Sequence, residues 1–256
     1  MSSQKEKAER FAALHISGEP VILFNVWDAG SAKAVADGGA KAIATGSWSV
    51  AAANGFYDAE ALPLNLALEN IARIVNAVDL PVTLDFEGGY ATDIDTLKAN
   101  IAKVIDTGAV GINFEDQVIG GEGMHSIEEQ SARIAAIRET ANTKGIPLFI
   151  NARTDVFLQN EPSKHAENFD EAVTRAHAYT AAGASSIFAP GLKDPDLIRT
   201  LCERSTLPVN IMVMSDTPSN PEMSALGVAR ISYGPGPYRQ IMEALKTAAH
   251  QTFGKN

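Results

Sequence analysis

Pro81-Val82-Thr83-Leu84-Asp85-Phe86-Glu87-Gly88-Gly89 and, one helix further on, Gly108-Ala109-Val110-Gly111-Ile112-Asn113-Phe114-Glu115-Asp116-Gln117 share one grammar. Proline or Gly-Ala opens a short, nearly all-apolar run, and the run stops abruptly at carboxylates. Runs apolar at every position read as parallel strands buried on both faces, because half-exposed antiparallel strands alternate instead. Glycine ends a helix and proline opens a strand, so the openings read as helix-to-strand loops.

Working outward, the pattern recurs along the chain. Eight runs fit it: Val21–Val26, Ala42–Thr45, Pro81–Phe86, Val110–Glu115, Pro147–Ala152, Ser186–Ala189, Pro208–Val213 and Ala229–Ser232. Gly39-Ala40, Gly183-Ala184, Pro147 and Pro208 repeat the same openings. The segments between carry helical spacing, with Leu66, Ile71, Ile74 and Val75 on one face before the third strand, and Ile127, Ile134 and Ile137 on one face before the fifth. Asp93, Ser126 and Asp194 stand where helix N-caps belong, and Ser126 with Glu129 forms a capping-box pattern. Eight β/α alternations with no linker-like break predict one domain over residues 1–256, a (β/α)8 TIM barrel. The alternative is an open doubly wound sheet. Its glycine-rich phosphate fingerprint is absent after the first strand, where the chain reads Asn25-Val26-Trp27-Asp28-Ala29-Gly30.

A hydrophobic content of 45% is enough for a sizeable core in a soluble chain. The formal net charge of −10 argues against nucleic acid as a partner, since phosphate-binding surfaces are basic. An anionic substrate would need a metal or a few arginines against that background. Cys202 is the one cysteine, so no intrachain disulfide can form, and its helical surroundings, Leu197-Ile198-Arg199-Thr200-Leu201, suggest packing and not nucleophilic chemistry. The start, Met1 to Lys7, lacks the apolar core of a signal peptide, and no apolar run approaches membrane-spanning length. The cytoplasm is the expected compartment, with no membrane partner.

In a (β/α)8 barrel the chemistry sits at the C-terminal ends of the strands. Those ends hold Asn25, Trp27 and Asp28; Gly46, Ser47 and Trp48; Asp85 and Glu87; Glu115 and Asp116; Asn151, Arg153, Thr154 and Asp155; Asn210; and Ser232 with Tyr233. Any one of these could be an ordinary loop residue. As a set, Asp85, Glu87 and Glu115 on adjacent strands would repel one another unless a cation or proton intervened. Oxygen ligands with no histidine beside them suit Mg2+ or Mn2+. Arg153 fits a substrate carboxylate through its planar fork, or equally an ion pair with Asp155. The Gly46-Ser47-Trp48 segment could aim backbone N–H groups at an anion, or be a plain turn with Trp48 as a lid. His125 follows the glycine-rich stretch Gly120-Gly121-Glu122-Gly123-Met124, and reads as an acid/base on a gate or as an exposed loop histidine.

These residues resemble the isocitrate lyase/phosphoenolpyruvate mutase superfamily. The similarity runs from Phe24-Asn25-Val26-Trp27-Asp28 to Arg230-Ile231-Ser232-Tyr233-Gly234, and is most specific at Tyr57-Asp58, Asp85 to Tyr90, Asn113 to Gln117 and Asn151 to Asp155. It implies a Mg2+-dependent barrel that acts on small oxo- or related carboxylic acids through a pyruvate-like enolate. Asp85 matches the direct metal ligand, Glu87 stands where a second aspartate is common, and Glu115 matches an outer glutamate. Asp58 matches an acid near metal and substrate, which strand-end reasoning alone does not find. Ser47 and Trp48 match the segment that holds the substrate oxygens, and Arg153 the arginine that faces the substrate. Gln117 to His125 departs from the Lys-Cys-Gly-His type loop of the isocitrate and methylisocitrate lyases, and from the lysine- and asparagine-bearing gate of phosphonomutases. The expected function is a carbon–carbon lyase or decarboxylase for a small oxo- or hydroxy-acid, with Asp58 or a metal-bound water as base and His125 or Tyr90 as proton source. An enzyme acting on a P–C bond is the first alternative, and a metabolite-binding relative with little turnover the second. The resemblance also implies a homo-oligomer, tetramer or dimer, and the apolar stripe Ile241, Leu245 and Ala248 must be covered by a neighbour or by its own barrel.

Overall fold

A computed structural model describes residues 2–254. A first helix, α1 (Gln4–Ala13), precedes the alternation. Then follow β1 (Val21–Leu23), α2 (Ala29–Asp37), β2 (Ile43–Ala44), α3 (Ser47–Ala53), α4 (Leu64–Ala77), β3 (Val82–Asp85), α5 (Ile94–Asp106), β4 (Gly111–Glu115) and α6 (Ile127–Thr143). The second half holds β5 (Phe149–Arg153), α7 (Phe169–Ala181), β6 (Ser186–Phe188), α8 (Pro195–Arg204), β7 (Val209–Met212), α9 (Asn220–Ala225), β8 (Arg230–Ser232) and α10 (Gly236–Thr252). All eight strands pair in parallel in the order β1-β8-β7-β6-β5-β4-β3-β2. The gap between β1 and β2 is bridged by Val26 and Thr45, with the Val26 N–H donating to the Ala44 carbonyl at 2.9 Å. The sheet is therefore a near-closed barrel ringed by helices, and the open-sheet alternative falls away.

Each of the eight expected strands is present, most trimmed by a residue or two. The first ends early for a visible reason. Asn25 leaves the ladder and spends its side chain on the neighbouring strand ends, donating to the Thr45 carbonyl at 2.8 Å and accepting from the Tyr233 and Gly234 N–H groups at 2.9 Å each. The three expected N-caps all form: Asp93 accepts from the Thr96 N–H, Asp194 from Asp196 and Leu197, and Ser126 completes its box with Glu129.

Two apolar layers hold the barrel. Between strands and helices lie Ile71, Ile74, Ile101, Ile112, Phe114, Ile134, Ile137 and Tyr179, all fully buried. Beneath the barrel, α1 acts as a plug, burying Phe11 among Leu23, Ala42, Val110 and Phe149. His15 at its end stacks on Phe149 at 4.0 Å. Burial, and then the charge of Arg230, push the His15 imidazole down to about 3, so it packs there neutral. Above the plug the barrel interior is polar. Arg230, Asn151 and Asn210 are fully buried, and Arg230 Nη2 donates to Asn113 Oδ1 at 2.9 Å.

On α10, Ile241, Leu245 and Ala248 are all exposed, so its own barrel does not cover the stripe. The start of α10 does pack inward, where Tyr238 meets Trp27 and Trp48 edge-on. Among the described residues, no helix is long and apolar enough to cross a membrane.

Candidate active site

The two acid-ended strands lie side by side, with Asp85 in register with Asn113 and Glu115 with Arg153. Asp85 is the hub of what they build. Its Oδ2 accepts from the Ser47 N–H at 2.9 Å and the Ser47 hydroxyl at 3.0 Å, and its Oδ1 from Asn113 Nδ2 at 3.2 Å. The Ser47 N–H, one of the groups expected to face a substrate anion, is thus turned to an anion of the protein itself. Asn113 in turn receives Arg230 from the barrel interior, so a buried cation stands one hydrogen-bonded residue behind Asp85. Burial pushes the Arg230 guanidinium down to about 9, with Asp85 opposing the shift.

Glu87 is clamped from two sides. Its Oε1 accepts from the Glu60 N–H at 2.9 Å, and its Oε2 from the Tyr90 hydroxyl at 3.2 Å. The Glu60 carboxylate closes the clamp by accepting from the Tyr90 N–H at 2.7 Å. Ala59, Glu60, Glu87 and Tyr90 all have φ between 50° and 64°, in the left-handed region that non-glycine residues rarely adopt. Each such residue costs of order 1–3 kcal/mol and persists only where the surroundings over-determine it. Here the strained positions are the ones that hold the carboxylates, with Asp58 one residue before Ala59. Asp58 lies on an exposed loop and is itself exposed, with its carboxylate on the side of Ser47 and Asp85.

Arg153 carries two acids. Its Nη1 lies 2.6 Å from Glu115 Oε2, and its Nε and Nη2 reach Asp155 at 2.6 and 2.9 Å. Of the two open readings, the ion pair is the one present, while the guanidinium still lines the cavity at the barrel mouth. That cavity is about 180 Å3, bounded on one side by Ser47, Trp48, Asp58, Asp85 and Arg153. The first cause of the raised carboxyl values here is burial, and the second is mutual repulsion. Burial and Asp85 raise Asp58; burial, Asp85, Asp58 and Glu60 push Glu87 up to about 8. Burial raises Glu115 well above the usual range against the pull of Arg153, with Asp155, Asp85 and Glu87 adding to the rise.

Two expected site residues sit elsewhere. His125 lines an adjoining cavity of about 420 Å3 together with Glu60, Tyr90 and Arg133. The loop before it is a small hairpin, bridged at Gln117 and Met124, whose base is pinned: the His125 N–H donates to the Asp116 carbonyl at 2.8 Å, and the His125 carbonyl accepts from Arg175 at 3.0 Å. Asp116 is fully buried against Arg175, Tyr179 and the Asp155 N–H, so this strand-end acid anchors the loop and does not face the mouth. Asn210 lies wholly inside the barrel, accepting from the Ser232 hydroxyl at 2.9 Å. The strand-end reading missed Glu60 and Asn113, and named Asn25 without giving it a role. Asn113 and Asn25 lay in view within or just after apolar strands, where a buried amide must find partners. Glu60 gave no such signal, because its role comes from loop geometry.

Residues 11–253 match the phosphoenolpyruvate phosphomutase family. The chain belongs to that family. Within the wider isocitrate lyase/phosphoenolpyruvate mutase superfamily, it is similar to a candidate phosphonomutase of Burkholderia cenocepacia J2315, at 49% identity and a TM-score of 0.95, covering 98% of this chain and 100% of the other. It is 32% identical to an uncharacterized protein of Mycobacterium tuberculosis, over 93% of this chain and 87% of the relative. It is 27% identical to the 2-methylisocitrate lyase of Escherichia coli, over 91% of this chain and 80% of that enzyme. The superfamily carries out lyase and mutase chemistry on small carboxylic acids, often with Mg2+. Among the described residues no three His, Cys, Asp or Glu side chains converge as a ready-made cage. Mg2+ does not need one, because it keeps several of its waters and takes one or two carboxylates directly. Asp58, Glu87 and Glu115, raised by burial and by a common neighbour in Asp85, are the acids a divalent cation would relieve.

Proposed function

We propose that this protein is a Mg2+-dependent lyase that cleaves or decarboxylates a small oxo- or hydroxy-carboxylic acid to give a pyruvate-type enolate. The observation that carries this reading is the carboxylate cluster around Asp85, beside a small cavity that also holds Arg153. Asp85 would hold the ion, with Glu87, Glu115 and Asp58 reaching it directly or through water. When bound, Mg2+ supplies the positive charge that stabilises an enolate oxygen. The chain's own residues do the rest. Arg153 orients the substrate carboxylate, and Ser47 and Trp48 bound the head of the substrate. Asp58, whose carboxyl is raised toward neutrality, takes the proton from the substrate hydroxyl. The returning proton comes from the adjoining cavity, which His125 and Tyr90 share.

A second reading, an enzyme that makes or breaks a P–C bond, is favoured by the family match and by the similarity to a candidate phosphonomutase. One assay separates the two. Purified protein with Mg2+ is given 2-methylisocitrate, oxaloacetate or phosphonopyruvate, and pyruvate is followed by a coupled reduction. Pyruvate from a carbon acid supports the lyase; pyruvate from phosphonopyruvate alone, or phosphoenolpyruvate from it read by adding pyruvate kinase and ADP, supports the second reading. Mg2+-dependent oxalate binding should accompany either, and Asp85→Ala should abolish it. Unchanged oxalate affinity in that variant would sink the metal assignment. Oxalate binding with no turnover of any acid would instead favour a metabolite-binding relative.

A further inference from the structure

Asp58 rides on a loop with little to hold it. No residue between Ala51 and Leu62 is buried, and Phe56 and Tyr57 stand 38% and 90% exposed. The Asp58 carboxylate itself meets Ser47. Beyond that contact, among the described residues, the hydrogen bonds that tie residues 57–61 to the barrel are those of Glu60.

The seat that receives Glu60 is built for an anion. Glu87, Gly89 and Tyr90 have φ of 50°, 89° and 53°, and turns of that kind aim backbone N–H groups into one concavity. The Tyr90 N–H donates to Glu60 Oε1 at 2.7 Å, and the Gly88 N–H serves the same carboxylate. The carbonyls of the turn are all engaged elsewhere, Gly88 and Ala91 by buried Arg133, Gly89 and Tyr90 by buried Asn100 at 3.2 and 3.0 Å. Position 88 needs glycine for the seat to be filled, since a Cβ there would stand 3.1 Å from Glu60 Oε1 and 2.8 Å from Ile119 Cγ1. Burial raises the Glu60 carboxyl, and the Tyr90 N–H, the Arg133 charge and the Gly88 N–H oppose the rise.

Between Asp58 and the seat, Ala59 and Glu60 hold φ of 64° and 59°. Backbone of that kind persists only where its surroundings over-determine it. Here one side chain does so, and without it the turn is free to relax and carry Asp58 away.

We propose that Glu60 is a positioning residue, a latch whose carboxylate seats in the backbone nest of Gly88 and Tyr90 and so holds the exposed loop with Asp58 turned to Ser47 and Asp85. The benefit to catalysis rests on the reading of Asp58 as the base; the latch itself is a matter of loop order.

Glu60→Ala empties the seat but leaves the main-chain N–H of residue 60, which donates to Glu87 at 2.9 Å. Exchange of that amide with deuterated solvent, followed by NMR on the full chain, therefore reports movement of the loop and needs neither metal nor substrate. The variant should speed it at least about tenfold, the factor carried by one lost hydrogen bond to a charged group, while the amides of β4 and α6 keep the parent's rates. On an acid that the parent turns over, kcat should fall about tenfold or more, as for a misplaced general base, with KM unchanged because Arg153 and Ser47 stay in place. An amide at residue 60 as slow as the parent's overturns the latch and leaves the enolate reading standing. A fast amide with an unchanged kcat overturns its link to Asp58. A fast amide in a protein whose parent turns over no acid upholds the latch and counts against the enolate reading alone.

Discussion

Raising the pH should tighten Mg2+ binding, and Glu87 sets the range. In the metal-free protein its carboxyl is pushed up to about 8, first by burial and then by Asp85, Asp58 and Glu60. A cation entering among these acids must expel that proton. About two pH units below that value nearly every molecule carries the proton, so apparent affinity should fall about 100-fold below its high-pH plateau, about 2.7 kcal/mol. Calorimetric titrations with Mg2+ at a series of pH values, in buffers of differing ionisation enthalpy, read both the affinity and the protons released. The affinity should climb with a slope near one and flatten above about pH 8, and Glu87→Gln should remove most of the slope. The sign for stability follows from the same shift. An acid whose folded value is raised above its ordinary 4.5 contributes stability that is present below that ordinary value and lost as pH rises through about 8. Asp58 and Glu115 shift the same way. The melting temperature in EDTA should therefore fall as pH rises across this window, and Mg2+ should restore it at the alkaline end. A Mg2+ affinity that does not change with pH across the window, or binding without proton release, would refute the reasoning.

Other consequences are nearer to packing. Tyr179→Phe removes the hydroxyl that donates to buried Asp116 at 2.8 Å, and should cost about 1–3 kcal/mol in urea unfolding; a change below about 0.5 kcal/mol would show that Asp116 does not depend on it. Gly89→Ala should cost about 3 kcal/mol, because φ is +89° and the new Cβ would stand 2.5 Å from Leu97 Cδ1. A urea midpoint like the parent's would contradict that geometry. Cys202→Ser should leave Mg2+-dependent oxalate binding intact, since burial pushes the thiol up to about 12 and it lies outside the cavity lining. A loss beyond about tenfold, about 1.4 kcal/mol, would place the thiol in the site after all.

The barrel was legible because its evidence is local. Each strand announces itself by an apolar run with a proline or Gly-Ala before it, and Asp93, Ser126 and Asp194 announce helix starts by residue type alone. The acids at the ends of β3 and β4 were legible for the same reason, since topology sends all parallel strand ends to one rim. His125 shows where that logic stops. It follows a glycine-rich loop after a strand end, yet the chain through Asp116 and Arg175 turns it into the adjoining cavity. Asp58 and Glu60 were hidden for the opposite reason, because a long loop after α3 brings them to Asp85 and Glu87 with no periodic signal.

Sequence by itself determined the repeating β/α grammar, the rim of acids and the membership they point to, because burial on both faces and turn chemistry are written in short stretches of residue type. Only the tertiary structure decided who faces whom. It ties Arg153 to Glu115 and Asp155, and stands Arg230 behind Asn113. Apart from Arg153 with Asp155, two residues on, those pairings join residues far apart in the chain. The strength of each interaction depends on distance and on water excluded by the whole barrel, which no local run of residues contains.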